Sequence, residues 1–207
     1  VALGPVGAYA AHPEWEVVTS GVEEAKVERE RRNAELQKPI PEVQQHLGPG
    51  ISLFPYQNEM VRFLEKTDGN ALVGDEMGLG KTLQALGIIH NLDKWPVLYI
   101  SKATLKLNVI DECLMAFGPG RKVQVLDSKS EIENADVYAI NYDILSEGWE
   151  SILKKRVVLS RVVLDLLKRR PGVMVIDESH YIKQSSQRSK AVMQITEWIK
   201  HRFALSG

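Results

Sequence analysis

The stretch Asn70–Thr82, reading Asn-Ala-Leu-Val-Gly-Asp-Glu-Met-Gly-Leu-Gly-Lys-Thr, constrains the fold of this chain more than any other. Its apolar run Ala71, Leu72 and Val73 predicts a buried strand, and a glycine-bearing turn then carries Lys81 and Thr82 into a helix through Ile89. Strand, tight turn and helix N-terminus in that order make a phosphate-binding loop. Gly78 and Gly80 let backbone N–H groups approach an anion closely, and the helix dipole adds about half a positive charge there. Lys81 would bring a full charge to β- and γ-phosphates, and the Thr82 hydroxyl would take a place on Mg²⁺. Asp75 stands five residues before Gly80, where the general pattern has glycine. Gly-Lys-Thr alone would not separate such a loop from an ordinary strand-to-helix turn; the preceding strand, spaced glycines and following apolar helix do.

Beyond this unit the pattern alternates. Val97–Ser101, Val123–Leu126, Val137–Ile140, Val173–Ile176 and Arg202–Leu205 read as strands, and Ala103–Phe117, Tyr142–Leu153 and Ser186–Lys200 read as helices. Alternation of this kind predicts an α/β fold with a parallel sheet covered by helices on both faces, and ligands outside the carboxyl ends of the strands. Lys81, Asp177 and Ser206 all fall at such ends, so one crevice can hold them.

The chain has 207 residues and a net charge of -1, enough for one α/β domain and too little positive charge for a global nucleic-acid field. Its single cysteine, Cys113, excludes an intrachain disulfide and reads as a small buried residue of an intracellular protein. No run of about 18 apolar residues is present, so no membrane-spanning helix is expected. The chain begins on Val1 and ends on Phe-Ala-Leu-Ser-Gly, and both ends read as cuts from something longer.

From Val22 to Lys38 acidic and basic residues interleave at helical spacing, which predicts a solvated helix outside the core. Pro39, Pro41 and Gly48-Pro49-Gly50 then mark a domain boundary, with an N-terminal extension over residues 1–50 and the main domain over 51–207. Pro55 suits the first turn of a helix carrying Tyr56, Met60, Phe63 and Leu64 on one face. Gln57, about two dozen residues before Lys81, reads as a surface residue on spacing alone, although its amide could match the donor and acceptor of an adenine edge.

Val173–Ile176 delivers Asp177 and Glu178 at its tip. At a strand end beside a phosphate loop, the first acid can hold Mg²⁺ through water and the second can polarise the water that attacks a γ-phosphate. Ser179 and His180 follow, and His180 could couple that phosphate to a neighbouring surface. Lys154, Lys155, Arg156, Arg161, Lys168, Arg169 and Arg170 form a basic stretch that suits either a phosphate backbone or the solvated face of a helix buried through Val158, Val162 and Leu166. Lys183, Arg188 and Lys190 form a second basic group.

Taken together, Gly-Asp-Glu-Met-Gly-Leu-Gly-Lys-Thr, Asp-Glu-Ser-His-Tyr-Ile-Lys from Asp177, and Leu205-Ser206-Gly207 resemble the first RecA-like lobe of Snf2-family ATPases of helicase superfamily 2, over about residues 51–207. Ser179, where alanine is commoner, is similar to the annealing-helicase branch and its bacterial and phage relatives. The resemblance implies that Leu53–Gln57 is an adenine-reading motif ending on Gln57. It makes Asp75, Glu76, Met77, Gly78, Leu79, Gly80, Lys81 and Thr82 the ATP-binding motif I, and Leu205–Gly207 the first half of motif III. Thr82 and Asp177 would hold Mg²⁺, Glu178 would activate water, and His180 would relay nucleotide state.

Ser101–Asn108 resembles motif Ia, which implies that Lys102 and Thr104 meet a DNA backbone, and Ala139–Leu145 resembles a second DNA-facing motif through Tyr142. Two positions depart from the family: Lys102 replaces its usual proline and Val109 its usual tryptophan. The resemblance implies ATP hydrolysis coupled to translocation on double-stranded DNA, with a second RecA-like lobe in cis and no implied oligomer. A strand-unwinding or restriction-type helicase and a non-catalytic ATP-dependent interaction module stay open as alternatives.

Overall fold

The structure, a computed structural model, describes residues 24–31, 34, 46–48, 51–67, 69–149, 156–182 and 185–207. The chain forms two compact units, Val1–Pro39 and Ile40–Gly207. In the first, residues 24–31 are helical and exposed, with Arg31 and Glu28 paired at 2.8 Å, as their charge spacing predicts. The rest of the helix expected over 22–38, apart from Ala34, lies outside the described residues, as do Pro39, Pro41, Pro49 and Gly50.

The second unit is built on a six-stranded sheet. Its strands are β3 (Asn70–Val73), β4 (Val97–Ser101), β5 (Val123–Val125), β6 (Val137–Asn141), β9 (Val173–Ile176) and β10 (His201–Leu205). They run in the spatial order β3-β10-β9-β4-β6-β5, and every pairing is parallel. Two short hairpins complete the set: β1 (His46–Leu47) with β2 (Ile51–Ser52), and β7 (Ser146–Trp149) with β8 (Val157–Leu159). Because β1 pairs with β2 and Leu47 is fully buried, the unit reaches back beyond the boundary expected at residue 51.

Side chains alternate through the sheet, so each central strand feeds two cores. On one face, Val97, Tyr99, Val137, Ala139, Val173, Val175 and Phe203 pack against α1 (Pro55–Lys66), α2 (Lys81–Leu92) and α3 (Lys106–Phe117). On the other, Leu98, Ile100, Tyr138, Ile140, Met174 and Ile176 pack against α4 (Arg161–Leu167) and α5 (Gln187–Thr196). Near-continuous apolar strands are what a sheet buried on both faces demands, and the α/β expectation holds. Cys113 is 1% exposed on α3, as expected.

Three local expectations are corrected. Of the helix expected over Tyr142–Leu153, residues 150–153 lie outside the described residues, and 142–149 are not helical: a 3-10 turn over Tyr142–Ile144 leads into β7, because extended pairing with β8 satisfies its backbone. Val158 therefore sits on strand β8, 42% exposed, while Val162, Val163 and Leu166 bury the face of α4. On α1 the buried residues are Gln57, Asn58, Val61 and Leu64, whereas Tyr56 and Phe63 are exposed, so the helix is rotated from the face that apolar spacing alone selects. In the described part of the basic stretch, the exposed Arg161 and Lys168 are both paired to Asp165. Lys154, Lys155 and Lys183 lie outside the described residues.

Candidate active site

Strand β3 ends at Val73, and the chain turns through residues 74–80 before α2 starts at Lys81. Gly80 caps that helix at φ 72°, in the left-handed region, and a Cβ there would run into the Gln57 amide. Glycine is therefore required twice over, by conformation and by space. Lys81 Nζ donates to the carbonyls of Asp75 at 2.8 Å and Glu76 at 2.9 Å, so the ammonium lies across the loop that it closes. Glu76, Met77, Gly78 and Leu79 are exposed on the outer curve, with Met77 81% exposed.

Asp75 fastens this loop from inside. Its Oδ2 accepts from Nε2 of Gln84, a fully buried residue one turn into α2, at 2.8 Å. Gln84 carries no motif signal and sequence reasoning missed it. A second brace comes from α1, where Gln57 Oε1 accepts from the Phe54 N–H at 3.0 Å and Gln57 Nε2 donates to the Leu79 carbonyl at 3.1 Å. The adenine-reading expectation for Gln57 meets a residue only 3% exposed, whose amide is engaged at both ends as a strut of the loop. The exposed aromatic beside it is Tyr56, whose hydroxyl also donates to Leu79 O, at 3.2 Å, and whose ring stacks on Phe54 with centroids 5.9 Å apart.

The carboxylate pair arrives on β9, a central strand. The Asp177 N–H donates to the Ile100 carbonyl at 2.8 Å, carrying the β9–β4 alignment one residue past the strand, and the Glu178 N–H donates to Asp177 Oδ1 at 2.9 Å. Glu178 holds φ 53°, uncommon for a residue with a side chain and a form of strain that concentrates at functional sites. Burial pushes the Asp177 carboxyl up; the Glu178 N–H and the Lys81 charge pull it partly back. Glu178 Oε2 lies 3.2 Å from His180 Nδ1, and Glu178 Oε1 lies 3.9 Å from Lys102 Nζ.

Between Thr82 and Asp177 lies Tyr99, a wholly buried phenol that sequence reasoning assigned to a core strand. Burial raises its pKa well above that of a free phenol, the Asp177 charge adds to the rise, and Thr82 opposes it. The hydroxyl stands beside both side chains without closing a well-formed hydrogen bond to either. Glu112, on α3, also faces Thr82; burial raises its carboxyl, hydrogen bonding to Thr82 lowers it, and Asp177 raises it further. Only the register of β4 and the placement of α3 bring these two residues to the site, so no local signal could have found them.

The expected DNA-facing residues divide. Thr104 is exposed on a 3-10 turn over Ala103–Leu105, and Lys102 is half-buried just before it. Tyr142 is 3% exposed, and its hydroxyl donates to the Asp177 carbonyl at 2.5 Å. Its ring stacks on Tyr181 at 5.9 Å, so its side chain supports the end of β9.

A braced loop before a helix at one strand end and an Asp-Glu pair at another, on one parallel sheet, define a P-loop lobe of RecA-like architecture. The profile of the SNF2-related domain matches residues 56–207, and the chain belongs to that family. The DNA annealing helicase and endonuclease ZRANB3 of Bos taurus is 29% identical over 163 residues, covering 75% of this chain and 14% of that protein. The SWI/SNF-related matrix-associated actin-dependent regulator of chromatin subfamily A-like protein 1 homolog of Caenorhabditis elegans is 31% identical over 157 residues, covering 75% of this chain and 21% of that protein. Among solved structures, the Sulfolobus solfataricus SWI2/SNF2 ATPase core in complex with dsDNA superimposes with a TM-score of 0.63 at 25% identity, over 81% of this chain and 34% of that one. The chain thus spans about a seventh to a fifth of the curated relatives it matches.

Proposed function

We propose that residues 51–207, with the β1 strand that pairs with β2, form the ATP-binding first lobe of a DNA-dependent ATPase that couples hydrolysis to translocation on double-stranded DNA, preceded by an N-terminal extension. The observation that carries this reading is that Thr82 and Asp177 flank the Tyr99 phenol while the Lys81 charge reaches Asp177, with Glu178 next along the chain. Loop N–H groups, freed by Gly78 and Gly80, and the Lys81 ammonium receive the β- and γ-phosphates. To do so, Lys81 exchanges its two loop carbonyls for phosphate oxygens. Glu178 accepts a proton from, or orients, the attacking water, and His180 senses the outcome through its contact with Glu178. The exposed Tyr56 and Phe54 pair offers the base an apolar seat, while Gln57 holds the loop in shape.

The donor set suits Mg²⁺, a hard cation that takes few protein oxygens and keeps water and phosphate ligands. Among the described residues no three of His, Cys, Asp and Glu converge as a self-sufficient metal site. Thr82 and Asp177 would hold the ion beside the under-bonded Tyr99 hydroxyl. When bound, it supplies positive charge to the oxygens of the transferring phosphate.

Duplex DNA is the proposed partner because a SWI2/SNF2 core of similar fold is described with dsDNA, and because Lys102 and Thr104 stand at the strand ends beside the site. A second lobe in cis completes the proposed enzyme. The test uses a two-lobe protein carrying this chain. Lys81→Ala should lose most affinity for a fluorescent ATP analogue, whereas Glu178→Gln should bind it and fail in phosphate release. Duplexes of any sequence should stimulate the wild type, with a steep fall as salt rises. Near-normal turnover by Glu178→Gln, or indifference to duplex, would refute the reading.

A further inference from the structure

Strands β4 and β9 are paired with Ile100 opposite Ile176, so the residues two steps beyond each, Lys102 and Glu178, leave the sheet side by side. The carboxylate of Glu178 is then engaged at both oxygens, by Lys102 Nζ at 3.9 Å and by His180 Nδ1 at 3.2 Å. Lys102 has a second hold, its ammonium standing 4.6 Å above the centre of the Tyr181 ring, which stacks in turn on Tyr142. The nearby Arg188 reaches the same ring at 5.9 Å but is spent on Asp143, which accepts from its Nε at 2.9 Å.

A carboxylate that has to orient an attacking water must turn an oxygen toward it, and a carboxylate held at both oxygens is not free to turn. We propose that Lys102 restrains Glu178, and that a DNA backbone phosphate reaching Lys102 draws it away and frees the carboxylate. Lys102 is thus a positioning residue that ties duplex binding to water activation, an inference that rests on the DNA-dependent ATPase reading above. The contact has the properties of a releasable latch. At 3.9 Å it is longer than the roughly 2.7–2.9 Å of a charge-assisted hydrogen bond, so little geometry is lost in breaking it. The Lys102 side chain is 30% exposed and that of Glu178 21%, which leaves the cation the more accessible partner.

The experiment measures phosphate release, with and without duplex DNA, in a two-lobe protein carrying this chain. Lys102→Met and Lys102→Gln remove the charge, and Lys102→Arg keeps it. Both neutral variants should raise the DNA-free kcat by up to about fivefold, the range that a partly exposed ion pair can hold back, with KM for ATP unchanged and a smaller ratio of stimulated to basal rate. Lys102→Arg should retain the low basal rate. A lysine that only gripped DNA would lower the stimulated rate and leave the DNA-free kcat at its wild-type value; that result in the two neutral variants, with unchanged melting temperatures, overturns the proposal. A wild type that duplex fails to stimulate overturns the ATPase reading itself and this inference with it, so the two failures are told apart by the wild-type control.

Discussion

Gln84 Nε2 donates to Asp75 Oδ2 over 2.8 Å, which ties the phosphate loop to the helix whose first residue is Lys81. The aspartate that departs from the general glycine pattern therefore has a mechanical role. It fixes one side of the loop while Gln57 and Tyr56, through the Leu79 carbonyl, fix the other. Asp75→Ala should leave the buried Gln84 amide short of a partner and cost about 1–3 kcal/mol in urea-monitored stability. Because the loop loses an anchor, affinity for an ATP analogue should fall as well. Unchanged affinity would mean that the α1 brace alone holds the loop.

Tyr142 supplies a second prediction, one that separates support from contact. Tyr142→Phe keeps the ring stacked on Tyr181 and removes only the hydroxyl that serves the Asp177 carbonyl. Stability should fall by about 0.5–1.5 kcal/mol, the net worth of one hydrogen bond, and phosphate release should fall with it. Affinity for duplex, measured by fluorescence anisotropy in the two-lobe protein, should not change. A selective loss of DNA affinity would return Tyr142 to the DNA-facing role that its motif implies.

Burial pushes the Cys113 thiol up to about 12, and the Glu112 charge adds to the rise. Native protein at pH 8 should leave this residue unlabelled by a thiol reagent, and urea should expose it. The pH dependence has a definite sign. Below the unfolded thiol's pKa of about 8.5 both states keep the proton, so stability is unaffected. As pH rises from there toward 12 the unfolded chain ionises while the folded one does not, so stability falls. Urea midpoints at pH 8 and pH 10 should therefore differ more in the wild type than in Cys113→Ala.

The 207-residue chain by itself should bind ATP weakly and turn it over barely above background. Transfer of a γ-phosphate needs positive charge on its equatorial oxygens, and an arginine finger is worth roughly 10³ to 10⁵ in rate in related NTPases; the proposed second lobe is its source here. Phosphate release from purified chain, with and without duplex, measures this directly. Turnover of about one per second on DNA, within the normal enzyme range, would show a complete catalytic site in one lobe.

The sequence by itself determined the parallel sheet, the phosphate loop and the strand-end carboxylates, because each is written in neighbouring residues. Val97–Ile100 and Val173–Ile176 are unbroken apolar runs, entered after Pro96 and Gly172 and left at Ser101 and Asp177, and such runs have few alternatives to a strand buried on both faces. Gly80 and Lys81 announce their turn through conformation and charge alone.

Tertiary structure decided what lies between those segments. The stretch after Tyr142 reads as a helix in the sequence, and antiparallel pairing with Val157–Leu159 made Ser146–Trp149 a strand instead. The rotation of α1 turned Gln57 inward and Tyr56 outward, because Val61 packs so closely on Gly87 of α2 that a Cβ there would stand 2.8 Å from Val61 Cγ2. Tyr99, Glu112 and the Lys102–Glu178 contact depend on strand register and helix docking, which bring together residues separated by tens of positions. Such contacts leave no periodic trace in the chain, since each residue alone looks like an ordinary core aromatic, a surface acid or a loop lysine; only the closing of the sheet gives them their charge partners.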